Sequence, residues 1–280
     1  MPQSSLTNLF LEGTLTAEEY TYMSTTSRFI YYFITQTSEE YNALCHVFEK
    51  DPLNLGRLKL LHTTLNREAL SLQRILDVLA SNRPVVKALC ADFKARVTRP
   101  QGTPAPPTNQ DIITNIKKLG LNTLDTLALL AMVKFNSAVL KTNFYKSRKS
   151  SISFRLDPEV MDVNDMWPVT PYGIFFVMSS EFQGFHLRFR DVSRGGIRLI
   201  RSRSSGNYQT NMASQFAENY GLAFTQNKKN KDIPEFGSKG TVLLNLDSQQ
   251  NDFLCFKKYI SGLLDLLVLR DENIQVDRQR

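Results

Sequence analysis

Residues 172–198 read YGIFFVMSSEFQGFHLRFRDVSRGGIR, and the first part of this stretch predicts two β-strands. Its segments YGIFFVMSS and FHLRFRD are short and rich in aromatic and β-branched residues, which favour strands. In an extended HLRFRDV segment, Leu187 and Phe189 lie on one side and Arg188 and Arg190 on the other. The alternation indicates a sheet in the middle of the chain.

The flanking sequence extends this sheet and adds helices. Upstream, AVLKTNFYK and SISFRLDP have the same strand-like composition. Downstream, residues 207–226 predict a helix, followed by a strand at GTVLLNL and a second helix at NDFLCFKKYISGLLDLLV. The first helix carries an apolar residue at every fourth position: Met212, Phe216, Tyr220 and Phe224. This order of strands and helices predicts an α/β layer with helices packed against the sheet.

Residues 1–98 predict a helical N-terminal region. One helix is expected to start at Thr16, because acidic residues follow in its first turn. Another has its apolar residues on one side at helical spacing: Leu72, Ile75, Leu76 and Leu79. The fold class is therefore α+β to α/β, a helical N-terminal region followed by a mixed β-sheet layer with packed helices.

Residues 99–110, RPQGTPAPPTNQ, hold four prolines and predict a linker or exposed loop, since proline cannot continue a helix. A helix is expected from about Asp111, interrupted near Gly120, with a new start at NTLDTLALLAMVKF. We therefore expect residues 111–280 to form one α/β domain.

The composition narrows the classes of function. The 280 residues carry a net charge of +7, which favours anionic partners such as nucleic acid, acidic lipid or small anionic substrates. The three cysteines form no C-x-x-C pair and the three histidines no i, i+4 pair, so neither a disulfide framework nor a metal site is expected. A secretory signal and an apolar segment of membrane-spanning length are both missing, which predicts a soluble, intracellular protein without membrane contact.

Residues 188–203, RFRDVSRGGIRLIRSR, contain six arginines and a Gly195–Gly196 pair. Arginine suits bidentate contact with carboxylate or phosphate, and glycine permits a ligand to approach the backbone. A solvated basic face with an ordinary turn would give the same pattern. RNA-binding tails also contain RGG, but there the motif is repeated and disordered.

Residues 226–246 place several lysines before an apolar segment. Lys239 lies in a glycine-bearing turn at the mouth of the predicted strand. If the preceding helix continues through Lys229, then Gln226 and Lys229 point the same way and the loop can return Lys239 beside them. Such a lysine could act as an acid or base while a neighbour holds an anion. An exposed loop lysine is the alternative. The spacing fits neither a P-loop nor a dinucleotide-binding G-x-G-x-x-G turn.

Several of these segments together resemble the large-subunit, NAD-specific glutamate dehydrogenases of fungi and protists. They are KTNFYK, SFRLDP, residues 172–198 and ENYGLAFTQNKKNKDIPEFGSKGTVLL. The resemblance implies oxidative deamination of L-glutamate to 2-oxoglutarate and ammonium, with NAD as cofactor. For the intact protein we also expect a homo-oligomer, located in mitochondria or cytoplasm. A nucleic-acid partner is not expected, because the single RGG lies between partly apolar segments.

The resemblance also implies roles for individual residues. Arg194, in SRGGIR with Gly195 and Gly196, matches the position that binds the distal carboxylate of glutamate. Gln226 and Lys229 match the pair that binds the α-carboxylate. Lys239 matches the catalytic lysine, which activates a water molecule and polarises the developing oxyanion.

The sequence departs from the family pattern at several points. Thr241 stands where small-subunit enzymes have a glycine, and the segment between Lys229 and Pro234 is shorter than in those enzymes. Phe236 stands where the family motif has a glycine. The nucleotide-binding turn is missing, so we expect NAD to bind a domain outside this chain, and the isolated chain to have no dehydrogenase activity. The alternative is a catalytically inactive, glutamate dehydrogenase-like subunit that binds an anion or a partner protein.

Overall fold

The computed structural model describes residues 5–33, 39–69, 71–98, 108–161, 167–229 and 236–268. The ten helices of these ranges are α1 (Ser5–Leu11), α2 (Ala17–Phe33), α3 (Glu39–Val47), α4 (Pro52–Ala69), α5 (Leu72–Ser81), α6 (Arg83–Val97), α7 (Asn109–Lys118), α8 (Thr123–Ala138), α9 (Ser205–Lys228) and α10 (Asp252–Leu267). The seven strands are β1 (Val139–Thr142), β2 (Ile152–Leu156), β3 (Gly173–Met178), β4 (Phe182–Arg188), β5 (Ser193–Arg194), β6 (Ile197–Ile200) and β7 (Phe236–Leu244).

Contacts divide the chain into two compact units. The first comprises the described parts of residues 1–90 and 109–133. It is helical, and α5 packs there against α1 and α2. A capping box starts α2, since the Thr16 hydroxyl accepts from the Glu19 amide and the Glu19 carboxylate accepts from the Thr16 amide. The helix start predicted at Thr16 is confirmed.

The second unit comprises the described parts of residues 91–108 and 134–280 and contains the sheet. Strands β1, β2, β3, β4 and β7 pair in that order, each antiparallel to its neighbour. Strands β5 and β6 pair with β7 in parallel, so β7 lies between β4 and these two short strands. Helix α9 connects β6 to β7, the crossover that parallel strands require.

The two faces of β7 contact different helices. Val242 and Leu244 belong to a buried cluster with residues of α10 such as Tyr259 and Leu263. The backbone oxygen of Thr241, the residue before Val242 in the strand, accepts a hydrogen bond from Gln215 of α9. Because side chains alternate along a strand, α9 covers one face of the sheet and α10 the other. The predicted fold class is confirmed.

Most predicted elements are confirmed close to their expected bounds. Helices α7 and α8 are separated around Gly120, whose φ of +64° is a conformation that glycine adopts readily. Residues 99–107 of the proline-rich segment lie outside the described residues, and the predicted division into 1–98, a linker and 111–280 stays a prediction. None of the described helices is both long and apolar enough to cross a membrane.

Candidate functional site

Lys239 lies inside a strand, four residues from its start, rather than in a turn before it. Leu187 of β4 pairs with it on one side, and the backbone of Gly240 donates a hydrogen bond to the Gly196 oxygen at 3.2 Å on the other. The predicted turn was wrong. The composition of this segment favours a turn, but its residues pair with neighbouring strands on both sides and are therefore extended. Lys239 is therefore held by backbone pairing on both sides.

The segment Arg194–Gly196 lies directly against this part of β7. Arg194 pairs with Gly237. A Cβ added to Gly195 would lie 1.5 Å from the backbone oxygen of Ser238, and one added to Gly196 would lie 3.7 Å from Nζ of Lys239. Neither glycine has a positive φ. The sequence suggested that these glycines let a ligand approach the backbone; in the structure, Gly195 lets the neighbouring strand β7 approach it.

The C-terminal end of α9 approaches the start of β7 in a similar way. A Cβ on Gly237 would lie 2.2 Å from the Asn227 nitrogen, and the Gly237 amide donates to Oδ1 of Asn227 at 3.2 Å. Gln226, in the last turn of α9, is half-buried. The helix ends at Lys228, so Lys229 does not continue it as expected. Its amide donates to the Gln226 oxygen at 3.2 Å as a cap, and its side chain is exposed.

The pairing registers place Arg194 and Lys239 on the same face of the sheet. Arg194 is level with Gly237, which precedes Lys239 by two residues, or about 7 Å along the strand. Arg198, level with Thr241, forms an ion pair with Glu218 of α9, so this alignment faces α9. The structure thus brings together Arg194, Gly196 and Lys239 beneath the end of α9 that carries Gln226.

The surroundings of this face carry positive charge. Arg190 lies over the ring of Phe236 with 4.9 Å between the guanidinium carbon and the ring centroid. Phe236, a residue that departs from the family motif, is 39% exposed. It is the first residue of β7 and pairs with β5. The arrangement of cations suits a small molecule with two carboxylates.

His186 lies on the opposite face of the sheet from Lys239. A Cβ on Gly240 would lie 3.2 Å from its Nδ1. Burial, and then the positive charge of Arg188, lower the pKa of His186 to about 4. Its Nε2 is 3.4 Å from Nη1 of Arg188. His186 is therefore neutral near pH 7 and is a buried residue of the core.

Sequence reasoning gave no role to three polar residues near this face: Asn219, Asn227 and Thr241. Asn219 and Thr241 are fully buried. Asn219 follows Gln215 by four residues on α9, beside the apolar stripe of Phe216 and Tyr220, and this helical spacing was the available signal. An asparagine in a helix is ordinarily exposed, which is why the pattern did not single it out.

Comparison with known proteins adds an independent observation. The family model described as "Bacterial NAD-glutamate dehydrogenase, catalytic domain" matches residues 113–279. Glutamate dehydrogenase 2 of Dictyostelium discoideum is 42% identical over 97% of this chain and 26% of its own length. The NAD-specific glutamate dehydrogenases of Neurospora crassa and Saccharomyces cerevisiae are 38% and 34% identical, each over 96% of this chain.

The chain spans about a quarter of the length of these relatives: 26% of the Dictyostelium protein, 27% of the Neurospora protein and 26% of the Saccharomyces protein. The family match extends over more than half of the chain and includes the sheet, α9, α10 and the whole candidate site. The resemblance carried by the motifs between about residues 140 and 246 is thus confirmed. This chain belongs to the NAD-glutamate dehydrogenase family.

Proposed function

We propose that the intact protein catalyses the NAD-dependent oxidative deamination of L-glutamate to 2-oxoglutarate and ammonium. The observation that carries this proposal is the approach of the Arg194–Gly196 segment to Lys239 on the face of the sheet that α9 covers. Two cations about 7 Å apart along paired strands suit a substrate with a carboxylate at each end. The names of the relatives agree with this substrate and cofactor.

We assign the two carboxylates of glutamate to different segments. Arg194 binds the distal carboxylate, for which its planar guanidinium offers two parallel hydrogen bonds. Gly195 and Gly196 let this segment lie against β7. Gln226 and Lys229 bind the α-carboxylate from the end of α9. Together these contacts place Cα of the substrate over Lys239.

Lys239 acts on the reacting carbon. Loss of hydride from Cα gives the protonated imine of 2-oxoglutarate, and a water molecule must then add to the imine carbon. In its neutral form, Lys239 takes a proton from this water, and as an ammonium it stabilises the oxygen that forms. The proton leaves finally with ammonia as ammonium. Backbone pairing on both sides of Lys239 fixes the position from which it acts.

NAD accepts the hydride when it is bound, but the described residues offer no fit for a dinucleotide. Among the described residues, two connections lead from a strand with a parallel neighbour to a helix N-terminus. They are 201–204 before α9 and 245–251 before α10, and neither contains glycine. A phosphate-binding turn needs glycine for close approach of its backbone. We therefore assign NAD binding to another part of the intact protein.

A binding experiment tests the site. The 280-residue chain is titrated calorimetrically with L-glutamate and with 2-oxoglutarate. We expect binding by the wild type and loss of at least ten-fold in affinity for Arg194→Ala, since a charge-assisted bidentate contact is removed. Lys257→Ala, an exposed lysine of α10 on the other face, is the matched control and should bind normally. A wild-type chain that binds neither compound would overturn the proposal.

An activity experiment separates the enzyme from an inactive, anion-binding subunit. In the intact protein, Lys239→Ala should lower glutamate-dependent NADH formation by 10²-fold or more, about the contribution of a positioned acid or base. Equal rates for wild type and Lys239→Ala would contradict the catalytic role. An intact wild-type protein that binds glutamate but forms no NADH would favour the inactive subunit.

We further propose an intracellular homo-oligomer. Its three cysteines are free thiols, which is typical of a reducing compartment. Light scattering of the intact protein after size exclusion tests the oligomer, and a monomeric mass would refute it.

A further inference from the structure

A polar stripe runs along the side of α9 that faces the sheet. It consists of Gln215, Asn219 and Gln226, which at 100° per residue fall within about 40° of the helix circumference. Gln215 and Asn219 are fully buried, whereas Gln226 near the helix end is half-buried. The stripe therefore leads from the proposed α-carboxylate contact into the interior.

The two buried members of this stripe differ in their hydrogen bonding. Nε2 of Gln215 donates to the backbone oxygen of Gln183 at 3.1 Å, and Oε1 of Gln215 accepts from Nε2 of Gln183 at 3.2 Å. Neither Oδ1 nor Nδ2 of Asn219 has a hydrogen-bond partner within the described part of the chain. The same holds there for Oγ1 of Thr241. A buried amide without partners costs stability that an apolar side chain of the same size would not.

The contacts of α9 with β7 locate Asn219. Gln215 reaches the backbone oxygen of Thr241 at 3.4 Å. Ala223 lies at Gly237, where an added Cβ would be 2.3 Å from the Ala223 oxygen. Asn219 is midway between these helix positions, and Lys239 is midway between the two strand positions. Asn219 therefore faces the part of β7 that carries Lys239.

We propose that Asn219, together with Thr241, binds the substituent on Cα of the substrate, and this inference rests on the proposed function. The amide oxygen accepts from the amino group of glutamate, and the amide nitrogen donates to the keto oxygen of 2-oxoglutarate. The reaction exchanges one group for the other, and an asparagine side chain can hold both. The hydroxyl of Thr241, which both donates and accepts, completes the contact.

The test compares 2-oxoglutarate with glutarate, which has the same two carboxylates and no keto oxygen. Asn219→Leu should weaken 2-oxoglutarate binding by the 280-residue chain about ten-fold, the loss of one to two buried hydrogen bonds, and leave glutarate binding unchanged. Thr241→Val, which keeps the shape of the side chain, should act in the same direction and serves if Asn219→Leu does not fold.

Gln215→Leu is the matched control, because it removes a neighbouring amide of the same stripe whose partners are all within the protein. It should lower the urea midpoint and affect both ligands alike, whereas Asn219→Leu should not lower the midpoint. A wild type that binds neither ligand overturns the proposed function and this inference with it. A wild type that binds both, with variants of Asn219 and Thr241 that change both affinities equally or not at all, overturns this inference alone.

Discussion

Replacement of Gly195 by alanine tests the close approach on which the site depends. The new Cβ would be 1.5 Å from the backbone oxygen of Ser238. Cβ atoms in proteins do not come within about 3 Å of such an oxygen, so β5 and β7 must separate by roughly 1.5 Å. The oxygen belongs to the backbone of β7, which cannot rotate away as a side chain would. Arg194 should therefore move relative to Lys239.

The expected magnitudes follow from this displacement. Gly195 is exposed, but its added Cβ would still meet backbone, and overpacking of this kind costs about 1–3 kcal/mol in the free energy of unfolding. A misplacement of about 1 Å in a constellation that binds and orients a substrate can cost 10²-fold in rate, so Gly195→Ala should reduce turnover of the intact protein by at least that factor. Gly196→Ala, whose Cβ would lie 3.7 Å from Nζ of Lys239, should retain wild-type stability.

Urea unfolding of the 280-residue chain and glutamate-dependent NADH formation by the intact protein measure the two effects. Gly221→Ala is the control, because a Cβ there meets nothing within 4 Å and the position is on the exposed side of α9. A Gly195→Ala protein with wild-type stability and activity would refute the reasoning that this glycine is required for the packing of β5 on β7.

Three other perturbations have defined outcomes. Gly237→Ala should lower the urea midpoint more than Gly221→Ala does, because its Cβ would be 2.2 Å from the backbone nitrogen of Asn227; equal midpoints would contradict this. Burial lowers the pKa of His186 from 6.5 to about 4, so the unfolded chain binds a proton that the folded chain excludes. The free energy of unfolding should thus fall by about 3 kcal/mol as the pH drops from 6.5 to 4. His186→Gln should flatten this pH dependence in urea titrations, and an unchanged slope would exclude His186 as its source. Thr16→Ala should cost about 1 kcal/mol of unfolding free energy by removing the cap of α2, and no change would show that the cap adds nothing.

The fold could be predicted from sequence where periodicity is strong. The four-residue spacing from Met212 to Phe224 predicted α9, and the alternation at Leu187 and Phe189 predicted β4. Such patterns arise because helices and strands each present one apolar side to the core. The same reasoning failed for Lys239, since β7 begins four residues before the apolar segment. Composition alone cannot reveal that a glycine-rich segment is paired on both sides.

The candidate site was predictable in its residue types but less so in its arrangement. Arginine, glycine and lysine indicated an anion site, and the resemblance supplied roles. The parallel pairing of β5 with β7 depends on contacts between segments more than 40 residues apart, as Arg194 and Gly237 are. Asn219 was missed because its burial depends on the packing of α9 on β7, which a local pattern does not encode.

The position of β7, paired with strands on both sides, has a consequence for the kinetics of local opening. Both edges of this strand are paired and both its faces are covered, so its amides should exchange with solvent only through opening that approaches global unfolding. Lys239 would then stay in register for as long as the unit remains folded. Gln226 and Lys229, at a helix end that opens more readily, would exchange conformations on a faster timescale. The proposed contacts to the α-carboxylate and the proposed reacting lysine would thus lie in parts of one unit that differ in local stability.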